Sequence, residues 1–243
     1  SDERDGLQKC SVTVGYQLSY PDETISQLSP QECTKLKRDG LYVCMIKNPN
    51  PVAKNVTPQL SDAAFIREKV PMTKEEIRHV SICKLHLKSD SVLYDVGSGT
   101  GSIAVEAASL SDDMEVYAIE QKENAVQLIT QNKEKHGLEN IHVINAKAPD
   151  GMDNLPVPTH AFIGGSGGNL KEIIEALKAK NPHIRIVINA ISMETICEIK
   201  EILSAYDVKN GDIVQLQVSR SKQIGHYHLM QAENPVWICS FEF

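Results

Sequence analysis

One segment of this chain, YDVGSGTGSIAVEAA at residues 94–108, carries the strongest structural signal in the sequence. A short apolar stretch runs into the alternating glycines Gly97, Gly99 and Gly101, and a helical apolar pattern follows at once. Glycine accepts positive φ angles and lets a ligand approach the main chain, and a helix start adds free N–H groups. The segment therefore predicts a strand, a ligand-binding turn and a helix in direct succession.

Strand-like and helical stretches alternate from this segment onward. The predicted strands span 92–96, 115–119, 141–145, 160–164 and 184–191. The predicted helices span 101–109, 122–136, 169–180 and 193–205, and Gly137 suits the C-terminal cap of the second. Apolar strands separated by helices are typical of a parallel sheet covered on both faces. The last two strands, 212–222 and 235–243, have no helix between them, so we expect an antiparallel ending.

The composition is that of a globular protein, with 243 residues, 41% of them hydrophobic, and a formal net charge of -7. No apolar run approaches the roughly 20 residues that span a bilayer, so we expect no membrane partner. An acidic chain without a basic stripe argues against a nucleic-acid partner. The six cysteines contain no C-x-x-C pair, which favours a reduced, cytoplasmic protein over a disulfide-rich one.

Two regions meet at a segment rich in proline and small polar residues. Residues 1–47 contain strand-like stretches at 10–18 and 40–46 around a short helical stretch, which is too little to enclose a core. Residues 48–67 are predicted to be a linker. We therefore expect a short α/β remnant over 1–47 and one main α/β domain over 68–243.

A helix is predicted directly after the linker, in PMTKEEIRHVSICKLHL. Thr73 and Glu76 have the spacing of a capping box, which would start the helix at this point. The residues that recur on one helical face, and that we expect to pack against the main domain, are Ile77, Val80 and Cys83.

Glu120 ends the second predicted strand nineteen residues after Gly101, the spacing at which a carboxylate accepts hydrogen bonds from a ribose diol. A dinucleotide turn, G-x-G-x-x-G, would need a glycine where Ser102 stands. The pattern present is G-x-G-x-G after the acidic Asp95, which resembles the first motif of S-adenosylmethionine-dependent methyltransferases. This resemblance implies the class I methyltransferase fold, a mostly parallel seven-stranded sheet with an antiparallel final hairpin.

The glycine-rich loop FIGGSGGN, residues 162–169, follows the fourth predicted strand. So many glycines in one loop lower stability through backbone entropy, which suggests close approach by a ligand. Methyltransferases bind their acceptor at this place, so Gly165, Ser166 and Gly167 are candidate substrate-binding residues. A plain turn into the next helix is the alternative.

Three further polar residues are candidates for the acceptor side. Asn189 lies near the end of the fifth strand, and Arg220 and His226 lie in the final hairpin, where they could hold substrate carboxylates. A hairpin with solvated charges is the alternative. No third ligand accompanies His226 and His228, so we predict no metal site.

Several segments in order resemble the decarboxylating precorrin C15-methyltransferases of cobalamin biosynthesis, over about residues 68–240. They are PMTKEEIR, DVGSGTGSIAVEAA, AIEQKENAVQLITQN, AKAPDG, FIGGSGGNL, RIVINAISMETI and VSRSKQIGHYHLMQAENPV. The earlier stretch VGYQLSYPDETISQLSP resembles the last segment of the C5-methylating tetrapyrrole methylase. Many organisms fuse the two as a precorrin-6Y C5,15-methyltransferase. The resemblance implies a complete C15 half with the tail of a C5 half, and no C5 methylation.

The resemblance also implies an activity and its site residues. The activity is S-adenosylmethionine-dependent C-methylation at C15 of precorrin-6B or cobalt-precorrin-6B, with decarboxylation of the C12 acetate. The methyl-donor contacts carried over by motif are Thr73, Gly97, Ser98, Gly99, Thr100, Gly101, Glu120 and Ala148. The family usually has a glycine where Ala146 stands and an acid where Lys147 stands. Family members commonly form tetramers, so we expect a homo-oligomer.

Three other functions stay open on the sequence alone. A class I methyltransferase for another acceptor, such as RNA, shares every methyl-donor motif. A domain that binds the methyl donor without catalysis shares them too. A nicotinamide oxidoreductase is the third alternative, and it would need the dinucleotide form of the glycine turn.

Overall fold

The computed structural model describes residues 10–37, 39–49 and 57–243, and the chain divides into two compact units, Ser1–Lys54 and Asn55–Phe243. The first unit contains β1 (Ser11–Tyr16), β2 (Thr24–Leu28), α1 (Pro30–Cys33) and β3 (Tyr42–Lys47). Its strands form an antiparallel sheet in the order β2-β1-β3. Strand β2 was not predicted, because its polar sequence TISQL shows no strand-like apolar run.

The second unit is built on a seven-stranded sheet. Its strands are β4 (Val92–Val96), β5 (Glu115–Glu120), β6 (Ile141–Asn145), β7 (His160–Ile163), β8 (Arg185–Ala190), β9 (Lys209–Leu216) and β12 (Val236–Glu242). Their order is β6-β5-β4-β7-β8-β12-β9, with the first five parallel and β12 antiparallel to both neighbours. The predicted fold class, a mostly parallel sheet with an antiparallel ending, is confirmed.

Helices cover both faces of this sheet and enclose two apolar layers. They are α2 (Glu75–Leu85), α3 (Ser102–Ala108), α4 (Glu123–His136), α5 (Leu170–Lys180) and α6 (Met193–Ala205). One layer joins α2, α3 and α4 to the sheet, and the other joins α5 and α6 to it. Gly137 has a φ of 57° and caps α4, as predicted. None of the helices in the described ranges has the length and apolar character that crossing a bilayer requires.

The end of the chain differs from the prediction of one strand over 212–222. Strand β9 ends at Leu216, and a separate hairpin of β10 (Ser219–Ile224) and β11 (Tyr227–Ala232) follows before β12. Strand β11 was missed because its side chains are all exposed, so its sequence carries no alternation between apolar and polar residues.

Helix α2 begins one residue later than predicted, because a capping box of Thr73 and Glu76 would make Thr73 the N-cap. Lys74 is the N-cap and makes no side-chain capping bond, while the Glu76 carboxylate pairs with Arg220 instead. The capping box of Thr73 and Glu76 is therefore wrong. The buried face of α2 predicted from Ile77, Val80 and Cys83 is only partly right, because Cys83 is exposed. The residues of α2 that are buried are Ile77, Arg78, Ser81, Ile82 and Leu85.

Buried polar groups hold the segment before α2 against the rest of the second unit. Glu106 accepts hydrogen bonds from the main-chain N–H groups of Gln59 (2.7 Å) and Leu60 (3.0 Å). Asn132 accepts from the N–H of Ile66 (2.7 Å) and donates to its carbonyl (2.8 Å). The packed unit thus extends upstream of residue 68, the start predicted for the main domain.

Candidate functional site

The glycine turn after β4 lies where the sheet order reverses, between β4 and β7, the usual ligand-binding edge of such a sheet. Gly97, Gly99 and Gly101 have φ angles of 70°, 59° and 78°, in the left-handed region that favours glycine. A Cβ on Gly97 would lie 2.3 Å from the carbonyl oxygen of Gly165, and one on Gly99 would lie 3.1 Å from that of Pro71. Backbone conformation and close packing therefore both require glycine at the first two positions.

Glu120, at the end of β5, is held beside this turn by main-chain donors. Its Oε2 accepts a hydrogen bond from Gly99 N at 3.0 Å, and its Oε1 accepts from Gln121 N and Lys122 N, each at 2.9 Å. The side chain is buried but lines a cavity. Because a carboxylate has about four acceptor positions, Oε2 retains capacity for a ligand hydroxyl.

A cavity of about 270 Å³ lies between the glycine turn and Glu120. The predicted methyl-donor residues that line it are Gly97, Gly99, Glu120 and Ala148. The substrate candidates Gly165, Ser166 and Gly167 also line it, as do Ala146 and Lys147, where the sequence departs from the family pattern.

The other predicted residues of the turn do not line this cavity. Ser98 donates a hydrogen bond of 2.6 Å to Asp95, and Gly101 is the N-cap of α3. Thr100 is fully buried, and its Oγ1 has no hydrogen-bond partner among the described residues. Burial raises the pKa of Asp95 to about 7, although Ser98 and Ala104 N donate to its carboxylate. These residues shape the turn from within.

A second cavity, of about 590 Å³, adjoins the first on the side of β7 and β8. Thr73, predicted as a methyl-donor contact, lines this larger cavity, and its carbonyl accepts a 2.7 Å hydrogen bond from Arg78. Asn189 lines it too, and its Nδ2 donates to Ser81 Oγ at 3.0 Å. The two cavities share Pro71, Gly165 and Ser166 in their walls.

The sequence profile described as "Precorrin methyltransferase domain" matches residues 63–242. The chain belongs to the precorrin methyltransferase family. The match begins before α2 and ends at the last residue of β12, so it includes both cavities.

Individual relatives of this family agree with the match. A probable cobalt-precorrin-6B C(15)-methyltransferase (decarboxylating) from Pyrobaculum calidifontis is 37% identical over 185 residues, 75% of this chain and 94% of that protein. The crystal structure of precorrin-6y C5,15-methyltransferase from Geobacter metallireducens has a TM-score of 0.73 at 32% identity, covering 79% of this chain and 100% of that one. Precorrin 8W decarboxylase from Methanobacterium thermoautotrophicum has a TM-score of 0.70 at 32% identity, with 75% and 98% covered.

Two predicted substrate residues do not line either cavity of this precorrin methyltransferase. Arg220 donates a 3.0 Å hydrogen bond to Glu233 and also pairs with Glu76, so its charge is already balanced by two carboxylates. His226 is exposed in the turn between β10 and β11. Within the described ranges, no group of three or more His, Cys, Asp or Glu side chains is placed to hold a metal ion.

Sequence reasoning missed several residues that line the larger cavity. Lys74 and Pro71 lie in the quoted motif PMTKEEIR, but only Thr73 was singled out there. Ser192, the N-cap of α6, follows β8 at the same edge of the sheet. Its position after a parallel strand was the signal that could have identified it.

Proposed function

We propose that this chain transfers a methyl group from S-adenosylmethionine to C15 of precorrin-6B or cobalt-precorrin-6B and releases the C12 acetate carboxyl as CO₂. The observation that carries this proposal is the pair of adjoining cavities with shared wall residues Pro71, Gly165 and Ser166. A small cavity with a glycine turn and a carboxylate suits a nucleoside methyl donor, and the larger one suits a bulky acceptor.

The residues of the smaller cavity fit S-adenosylmethionine. The main chain of Gly97 and Gly99 lines this cavity, and the Glu120 carboxylate is fixed in its wall to accept ribose hydroxyls. Ala148, after β6, offers a small apolar wall for the flat adenine ring. When bound, this compound supplies an electrophilic methyl group on a sulfonium. The positive charge of the sulfonium is compatible with a nearby carboxylate such as that of Glu120.

The larger cavity fits a polar macrocycle with carboxylate substituents. Among the described residues that line it, Lys74 supplies the cationic side chain, and its ammonium lies 3.6 Å from the Asp62 carboxylate. Glu233 also lines it, and its carboxylate is paired with Arg220. The remaining polar wall groups are hydroxyls and amides, including Thr73, Ser192 and Asn189. These groups can hydrogen-bond carboxylates without the desolvation penalty of a buried charge.

The protein's contribution to the reaction is alignment and exclusion of water. The new C–C bond forms with electrons that C15 receives by enamine-like conjugation with a ring nitrogen. The bond from the methyl carbon to the sulfonium sulfur breaks at the same time, and its electrons stay on sulfur, which leaves as a neutral thioether. No activated nucleophilic side chain is needed for this displacement. The C12 acetate loses CO₂ when the electrons of the breaking C–C bond pass into the conjugated imine, and the carbon left behind takes a proton from water. Walls built from β7, β8 and α2 hold the macrocycle while this occurs.

The deciding experiment is mass spectrometry of precorrin-6B incubated with this chain and methyl-labelled S-adenosylmethionine. We expect a product that gains one labelled methyl group and loses one CO₂. Labelling of RNA with the tetrapyrrole unchanged would instead support another acceptor, and donor binding without any turnover would indicate a non-catalytic domain. Titration with NADH tests the nicotinamide alternative.

We further propose that the chain is a cytoplasmic homo-oligomer and that residues 1–47 correspond to the tail of the C5-methylating half. The exposed thiols of Cys83 and Cys197 suit a reducing compartment. The hairpin of β10 and β11 exposes Tyr227 and Met230, which suits contact with another copy. Sedimentation analysis of the purified chain tests the oligomer, and a monomer at micromolar concentration would contradict it.

A further inference from the structure

Gly165, in the loop after β7, is a glycine that neither backbone conformation nor packing explains. Its φ angle lies outside the left-handed region, in contrast to Gly97 and Gly99. A Cβ built on Gly165 would meet no atom of the described residues within 4 Å. Because glycine loses more conformational entropy on folding than alanine, an unforced glycine lowers stability without a gain inside the protein.

The position of Gly165 indicates that the absence of a side chain serves the compounds that bind beside it. Gly165 belongs to the wall of both cavities, so the space beside its Cα is open to the compounds that occupy them. Its carbonyl oxygen lies where a Cβ on Gly97 would be only 2.3 Å away, which places the two turns in main-chain contact. The Cα of Gly165 therefore has a fixed position relative to the glycine turn.

We propose that the bare Cα of Gly165 keeps open the passage between the two cavities, through which the methyl group reaches the acceptor carbon. This inference rests on the proposed function and adds a specific residue that controls approach of the two reactants. It explains why the chain keeps glycine at a position where alanine would fit the protein. A methyl side chain here would separate the reactants and leave the glycine turn and Glu120 in place.

The test is Gly165→Ala, with Gly165→Val as a larger obstruction. Because misplacing reacting groups by about 1 Å can slow a reaction about 100-fold, we expect kcat for tetrapyrrole methylation to fall by that order in Gly165→Ala. We expect a greater loss in Gly165→Val. The dissociation constant for S-adenosylmethionine and the thermal midpoint of Gly165→Ala should stay at or near the values of the unmodified chain.

Gly211→Ala is the matched control, because Gly211 lies on β9, lines neither cavity, and would place its Cβ 4.0 Å from Val208. It should keep full kcat. Unchanged kcat in Gly165→Ala would overturn the inference, as would a loss confined to methyl-donor affinity. Failure of the proposed function would look different, since the unmodified chain itself would then leave precorrin-6B unchanged.

Discussion

Glu120 is the residue that we propose to bind the ribose of the methyl donor, and its carboxylate is already oriented by three main-chain N–H groups. We predict that Glu120→Ala weakens S-adenosylmethionine binding by about 10- to 100-fold, the size expected for lost hydrogen bonds to a charged acceptor. Gly99→Val should weaken it as well, because its φ of 59° strains a branched side chain. Titration calorimetry measures both affinities.

The control for Glu120→Ala is Glu123→Ala, which removes an exposed carboxylate nearby that does not line the smaller cavity. Its affinity should match that of the unmodified chain. Thermal melts should show that Glu120→Ala remains folded. Undiminished affinity in Glu120→Ala would contradict the assignment of this carboxylate to the ribose.

His160, at the opposite end of β7 from the cavities, should make stability depend on pH. Burial, followed by the charge of nearby Arg185, lowers the pKa of His160 to about 4 from its ordinary 6.5. Between these values the unfolded chain binds a proton that the folded chain does not, so the unfolding free energy falls as pH falls. We predict that this residue lowers the unfolding free energy by about 2 kcal/mol when the pH falls from 7 to 5.

Urea unfolding of His160→Gln at both pH values checks this, since the variant should lose that part of the pH dependence. His183→Gln is the matched control, because His183 is exposed. An identical pH dependence in His160→Gln and the unmodified chain would show that other groups cause the effect.

At the scale of elements, the buried pair Arg78 and Glu106 joins α2 to α3 and to the segment before α2. The side chains are 0% and 2% exposed, and Arg78 Nε lies 3.0 Å from Glu106 Oε2. We predict that Arg78→Met lowers the unfolding free energy by about 3–5 kcal/mol, because it leaves the Glu106 carboxylate buried without its cation. Denaturant titration measures the loss.

The double variant Arg78→Met/Glu106→Gln should recover part of that loss. Its neutral amide oxygen can still accept from the N–H groups of Gln59 and Leu60, and no uncompensated charge is buried. If the two single losses simply add in the double variant, the pair makes no coupled contribution and the explanation fails.

The parallel part of the fold was predictable from sequence to within one residue at each end, because apolar runs and helical periods agree with burial there. The glycine turn was also predictable, because positions that need a positive φ angle or very close packing are occupied by glycine. Burial on α2 was not, because Arg78 and Ser81 are buried through partners distant in sequence, Glu106 and Asn189. Local periodicity contains no information about such partners.

For the molecule as a whole, the second unit should carry the complete site by itself. All residues that line the two cavities lie between Val70 and Val236. The Pyrobaculum calidifontis relative aligns over 94% of its length with 75% of this chain, so it has little room for a counterpart of the first unit.

We therefore predict that residues 55–243 fold alone, in one cooperative thermal transition. Their methyl-donor affinity and turnover should match the full chain within about twofold, the scatter of independent sites. Calorimetry and the labelled-methyl assay measure these quantities. A fragment that binds S-adenosylmethionine normally but methylates precorrin-6B much more slowly would show instead that the first unit takes part in acceptor binding.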